Sequence, residues 1–269
     1  MSKSDLKKAT QILNVAKDKV VQKAEDINAE TIIAQAMKMP GVKIDRKEYL
    51  TKELHKYYPN NIVSAAIETT PYKAGVTKQG LDHIAKDSIK YETLEVTAVS
   101  AIAGIPGGLA MAATIPADIT QYFVFMIRAA QKLAYLYGYP EIELSEDFLD
   151  DAAMNELLIF LGVMLGVQEA NVALKTLTEI IAQSLPKKLA QKALTKGTIY
   201  PMVKKIAQAI GVKMTKDIFS KGVGKVIPVV GGVVSGGLTF VTFKPCCYRL
   251  RKELEKNLLS DMAYEDLTI

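Results

Sequence analysis

Two long runs without a charge dominate this 269-residue chain: Val96 to Ala117, 22 residues, and Val226 to Phe243, 18 residues. Both are rich in glycine, and each holds an internal proline, Pro106 and Pro228. Glycines four apart share one helix face and let two backbones approach closely, which is how helices pack in lipid. Three such pairs occur, Gly104/Gly108, Gly162/Gly166 and Gly232/Gly236, where 17 glycines give about one by chance. Gly107 and Gly231 extend the same clusters. The pattern fits a membrane-inserted hairpin, a tight crossing of soluble helices, or glycine loops around a ligand. Val96–Ala117 carries seven large aliphatic side chains, worth about −2 to −4 kcal/mol toward insertion before its Gly, Pro, Ser and Thr are charged against it. A committed transmembrane helix is therefore marginal. Runs of 22 and 18 residues match a hydrocarbon core of about 30 Å only if the helix survives its proline.

Elsewhere the helical period prevails. Leu6, Leu13, Val20 and Ile27 recur every seven residues, with Ala9, Ala16 and Ala24 in the same stripe. This predicts an amphipathic helix from Asp5 to about Met39, ended by Pro40-Gly41. A helix over Arg46–Tyr57 is broken by Pro59-Asn60-Asn61, and Thr70-Pro71 with Gly75 makes another break. Thr77 can cap a helix to about Val99. Asp118–Tyr137 reads as a long helix with few charges, stopped at Gly138, which suits the position just after a helix. Ser145 is an N-cap for the next helix, through Leu157–Leu161 to about Gln168 or on to Gln183. A polar helix closes the chain over Tyr248–Met262. Val226–Val234 is the most strand-like segment, but its proline and glycines argue against a regular strand. The expectation is an all-α protein: a single multi-helix bundle over residues 61–269 with an N-terminal amphipathic arm over 1–60.

Composition excludes several classes. Apolar residues at 49% and charged residues at 23% are wrong for a disordered chain, and two cysteines cannot staple a secreted scaffold. The N-terminus is too charged for an export signal, which suggests a reducing cytosol. Charge is segregated. Glu141–Glu156 holds seven acids and no base, whereas Lys187–Lys225 holds ten lysines and one acid. The lysine block suits a solvated helix face, an anionic membrane surface or the acidic block. It suits nucleic acid poorly, because it lacks arginine and has only Tyr200 and Phe219 as aromatics.

Motifs of chemistry are missing. His55 and His83 stand alone, and there is no C-x-x-C. Gly222-Val223-Gly224-Lys225 lacks both the leading glycine and the following Ser or Thr of a phosphate-binding loop. Asp150 and Asp151 are adjacent and diverge by about 100° on a helix. Cys246-Cys247 lies where an apolar run meets Lys244, Arg249 and Arg251, a setting in which acylation occurs. No metal or cofactor is expected. Asp118 and Arg128, ten residues apart, cannot touch within one helix, so each needs a partner on another element if buried.

Ala103-Gly104-Ile105-Pro106-Gly107-Gly108, Ile115-Pro116-Ala117-Asp118-Ile119, Arg128 and Tyr135-Leu136-Tyr137-Gly138-Tyr139 resemble, in that order, the EcsC-like family of bacterial proteins. Val226–Gly232 followed by Gly236-Gly237 is similar to that family's second glycine-rich segment. The resemblance covers roughly Val76 to Leu254. It implies a mostly helical bacterial protein without an established molecular activity, and its name derives from an operon encoding an ABC transporter. Pro116, Asp118, Arg128, Tyr137 and Gly138, with the glycines above, become candidates for architecture or a ligand contact.

The expected function is therefore non-enzymatic association with a bilayer or a membrane-protein partner at the inner face of the cell membrane. Glycine-rich segments would engage the apolar phase and lysines the headgroups. Rivals are a soluble protein with an apolar, lipid-like ligand, an enzyme using Asp118, Arg128 and Tyr137, and a partner-binding module whose N-terminal stripe forms a coiled coil.

Overall fold

The computed structural model describes residues 29–103, 111–142, 151–182, 192, 194–197, 199–210 and 242–258, with side chains at 29, 99–103 and 111–119 set aside. The fold is all-α. Its elements are α1 (Ala29–Met37), α2 (Arg46–Leu54), α3 (Asn60–Glu68), α4 (Lys78–Ala103), α5 (Met111–Leu136), α6 (Asp151–Met164) and α7 (Gln168–Ala182), followed by α8 (200–210) and α9 (242–258).

The bundle is organised around α5. From Phe123 to Leu136 every side chain except Arg128 and Lys132 is buried. A helix apolar on all sides needs neighbours on all sides, and α4, α1, α2 and α6 supply them. Helix α7 packs on α6, and α8 closes on α6 through Ile206. Helix α9 touches several helices at once. Phe243 meets the Tyr122 ring edge-on at 5.9 Å, Arg249 donates to the Met164 carbonyl at 2.9 Å, and Arg251 pairs with Asp82 on α4. Residues 29–54, assigned from sequence to a separate arm, contribute Ile33, Ala36, Leu50 and Leu54 to the same core.

Helices α4 and α5 form an antiparallel hairpin. Each has 26 residues, about 39 Å, and their interiors touch where Glu92 meets Arg128 and Lys132. Seven residues lie between them, which reach at most about 28 Å and cannot return the chain for a parallel pair.

Boundaries follow local chemistry. Thr77 Oγ1 accepts the Gly80 N–H at 3.1 Å and starts α4, and Asp45 caps α2 by accepting the Glu48 N–H at 2.7 Å. Gly138 ends α5 with φ +93°: Tyr139 N–H bonds Ala134 O, and Gly138 N–H bonds Tyr135 O, the paired bonds of a Schellman turn. Gly166 does the same for α6, with φ +70° and bonds from Val167 N–H to Gly162 O and from Gly166 N–H to Val163 O.

Four sequence expectations need correction. Gly162 and Gly166 are not one packing face: Gly162 is a close contact inside α6, while Gly166 lies beyond its end as the cap. That cap also stops α6 at Met164, so no helix continues to Gln183 unbroken. Pro59 does more than break a helix, since its extended backbone precedes α3 and its carbonyl accepts from Ile62 and Val63. Helix α5 begins at Met111 and runs through Pro116, seven residues before Asp118, so the first uncharged run is shared between two helices. In addition, α9 already includes Cys246 and Cys247, and both thiols are buried, out of reach of an acyl donor. Gly104, Gly107, Gly108, Gly231, Gly232, Gly236, the strand-like Val226–Val234 and the heptad stripe before residue 29 lie outside the described residues.

The glycines give a graded test. Gly138→Ala combines a positive φ with a Cβ 3.1 Å from Thr70, and Gly75→Ala has φ +96° with open space around it. In urea titrations Gly75→Ala is expected to cost about 1–2 kcal/mol, and Gly138→Ala more. Gly162→Ala, whose Cβ would sit 2.6 Å from Ile206 and 2.8 Å from Ala170, is expected to cost about 1–3 kcal/mol through overpacking.

Candidate functional site

Three polar side chains interrupt the buried apolar stretch of α5 from Phe123 to Leu136: Arg128, Gln131 and Lys132. Spacings of three and four residues put them on one helix face. Opposite stands Glu92 of α4, completely buried. Arg128 grips it with two parallel bonds, Nε to Oε2 and Nη2 to Oε1, both 3.1 Å. Lys132 Nζ donates to Oε1 at 2.6 Å. A carboxylate removed from water is tolerable only when paired and hydrogen-bonded in this way. Burial works against the Arg128 charge, but the bonds and charge of Glu92 outweigh it and raise its pKa.

The same face holds the loop between α1 and α2. Gln131 Nε2 donates to Val42 O at 2.8 Å, and its Oε1 accepts the Ile44 N–H at 3.1 Å. Arg128 Nη1 reaches the Gly41 carbonyl. Gly41 sits at φ +76°, the bend that Pro40-Gly41 announced. Lys132 lies 5.0 Å from the Tyr91 ring centre and 5.9 Å from that of Tyr49, within cation–π range. Tyr49 is buried against Ser88, hydroxyl to hydroxyl at 2.8 Å.

Above this cluster opens a cleft of about 630 Å³, walled by the 43–45 loop, α2, α4 and α5. Arg128 and Lys132 reach its floor, Lys43, Lys52 and Lys90 its rim, and Tyr91 and Leu94 its apolar lip. A surface triad stands at one edge, with His83 Nε2 3.1 Å from the Tyr57 hydroxyl and 3.4 Å from Asp87.

The sequence candidates are strung along α5 and not gathered. From Pro116 to Tyr137 the helix rises about 31 Å, and from Asp118 to Arg128 about 15 Å. Asp118, Arg128 and Tyr137 are therefore spread along the helix axis rather than level with one another. Pro116 and Asp118 lie in the α5 backbone, their side chains outside the described residues. Arg128 finds its partner across the hairpin. Tyr137 is buried, its hydroxyl without a hydrogen-bond partner among the described residues, and desolvation raises its pKa. Gly138 serves the turn.

Sequence reasoning missed Glu92, Gln131 and Lys132 as a site. The signal of Gln131 and Lys132 was polar residues three and four positions after Arg128 in a stretch of α5 otherwise apolar. Glu92 had no signal of its own among the many charges of α4. Among the described residues no group of three or more His, Cys, Asp or Glu side chains could hold a metal, and no helix is long and apolar enough to cross a membrane. Comparison of the chain with family models, curated proteins and solved structures gave no match.

Removing the carboxylate strands two cations. Glu92→Gln is expected to lower unfolding free energy by about 3–5 kcal/mol, read from urea titration at neutral pH. Lys132→Met should cost less, because Arg128 keeps its grip. Burial also raises the pKa of the Tyr49, Tyr135 and Tyr137 phenols. The folded state then holds protons that the unfolded chain gives up near pH 10. Stability from these groups is complete below that value and lost as pH rises above it. Burial raises the Cys247 pKa as well, so denaturant midpoints should stay level from about pH 7 to 8, ease down from about pH 8.5 and fall more steeply from about pH 10, while Tyr49→Phe should flatten part of that later fall.

Proposed function

We propose that this chain is a non-enzymatic protein of the membrane surface, and that the closed end of the α4–α5 hairpin is the part that meets the bilayer. One observation carries it. After Glu95 on α4 and before Asp118 on α5 neither helix has a charged residue, while the Glu92–Arg128–Lys132 cluster sits near the middle of the hairpin. The bare end comprises residues 96–103 of α4 and 111–117 of α5, roughly 12 and 10 Å of helix. One leaflet offers about 15 Å of hydrocarbon. That length suits a tip that dips into a leaflet, not a helix that spans. Along α4, Tyr91 and Leu94 are 53% and 55% exposed, and exposed Ala98 continues the same face toward the bare end. Lys192, Lys196, Lys204 and Lys205 are exposed, and such lysines contribute about 1 kcal/mol each near an anionic surface. In this proposal the protein works at the cytoplasmic face of a bacterial membrane, beside a membrane-protein partner or alone. It groups with the EcsC-like proteins that the Pro116–Asp118, Arg128 and Tyr137-Gly138 order resembles.

Flotation with anionic vesicles tests it. The protein should rise with the vesicles at low salt, and Ile102→Asp should reduce the bound fraction at least about tenfold, because a buried charge costs about 2.5–3.5 kcal/mol at the bilayer centre. Val172→Asp, on the exposed face of α7, should change nothing. Wild-type protein that stays in the supernatant under every salt condition would sink the proposal.

A further inference from the structure

The charges around the cleft do not balance. Its acids are mostly engaged. Asp45 caps α2, Glu53 is paired with Lys56 at 2.5 Å, and Asp87 faces Tyr57 and His83. Glu48 lies in the first turn of α2, where the helix dipole favours a negative charge. Its cations are not engaged in the same way. Lys43, Lys52 and Lys90 are exposed and form no ion pair among the described residues. On the floor, Arg128 and Lys132 share the single carboxylate of Glu92, and their side chains are only 20% and 13% exposed. Arg128 also feels the charge of Glu95. The cleft is lined by six cations and four acids, so with Glu92 beneath them one cation is in excess, and Arg128 and Lys132 sit partly dehydrated, where an anion gains most because solvent screens it least. The volume, about 630 Å³, admits a phosphate with a small organic group attached.

The geometry points to a binding site for a phosphate monoester: we propose that the cleft receives the monoester phosphate of a phosphatidic-acid-type lipid. Lys132 and Arg128 face the phosphate from below, and Lys43 and Lys90 close on it from the rim. Tyr91 and Leu94 meet the adjoining apolar part, on the face of α4 that leads toward the uncharged hairpin end. The lipid assignment rests on the hairpin reading above, whereas the phosphate site stands on the cleft alone.

The test uses full-length protein, phosphatidylcholine vesicles with and without phosphatidic acid, and soluble glycerol 3-phosphate measured by calorimetry. Phosphatidic acid should strengthen vesicle binding. Lys43→Gln and Lys90→Gln, both at exposed unpaired positions that the fold does not need, should each weaken that gain about fivefold. Glycerol 3-phosphate should compete with it. Lys204→Gln with Lys205→Gln, on α8 away from the cleft, is the control for diffuse attraction and should matter less than either rim change. If the control weakens binding as much as the rim changes, or if the rim changes have no effect, the cleft assignment is overturned. The hairpin proposal survives that result provided Ile102→Asp still abolishes flotation. If glycerol 3-phosphate binds with rim sensitivity while phosphatidic acid adds nothing, the lipid assignment is overturned and the phosphate site stands.

Discussion

A carboxylate without access to water, held by two cations from the next helix in sequence, fixes how this bundle is assembled. Glu92 cannot remain charged inside the protein unless Arg128 and Lys132 come to it, and they come only if α4 and α5 are antiparallel in one register. The register in turn places Gln131 under the loop that follows α1 and lets Arg128 reach Gly41. Helix α4 and the loop joining α1 to α2 are thereby tied to one face of one helix. The cleft is the outer side of that tie, so its electrostatics are a by-product of the interaction that sets the fold.

Much of the architecture was legible because helix ends are chemically marked. Gly138 after an apolar run, Thr77 before an amphipathic one and Pro40-Gly41 between two helices each act through their own backbone limits, and those limits operate without tertiary help. The start of α5 was not legible, since Pro116 reads as an interruption, yet α5 runs through it from Met111, with the proline as its sixth residue at the cost of the one bond to the Ala112 carbonyl. Helix α3 was missed for a related reason: Pro59 and Asn60 are starters as well as breakers. Of the candidate site, only Arg128 was singled out. Its partner could not be, because α4 carries several acids and only packing decides which one is buried.

Glycine pairs carried less information than their spacing suggested. Gly162 is small because Ile206 and Ala170 press on it, whereas Gly166 is glycine because its φ is positive. One spacing hides two unrelated demands, which three-dimensional geometry separates and a pattern cannot. The distribution of charge along the α4–α5 hairpin is sturdier, since it depends only on the order of residues and on the two helices being paired.

Arg46 closes a different circuit. Its guanidinium donates to Ile67, Ala66 and Thr69 at the end of α3 and to Tyr139 beyond α5, and burial lowers its pKa. On a ribosome adding about 5–20 residues per second, the α3 carbonyls emerge roughly 4–14 s before Tyr139 exists. Until then Arg46 can hold α3 only in water, as an open clasp. Its enclosure waits for the central helix, so the first third of the chain is consolidated by a residue made halfway through translation.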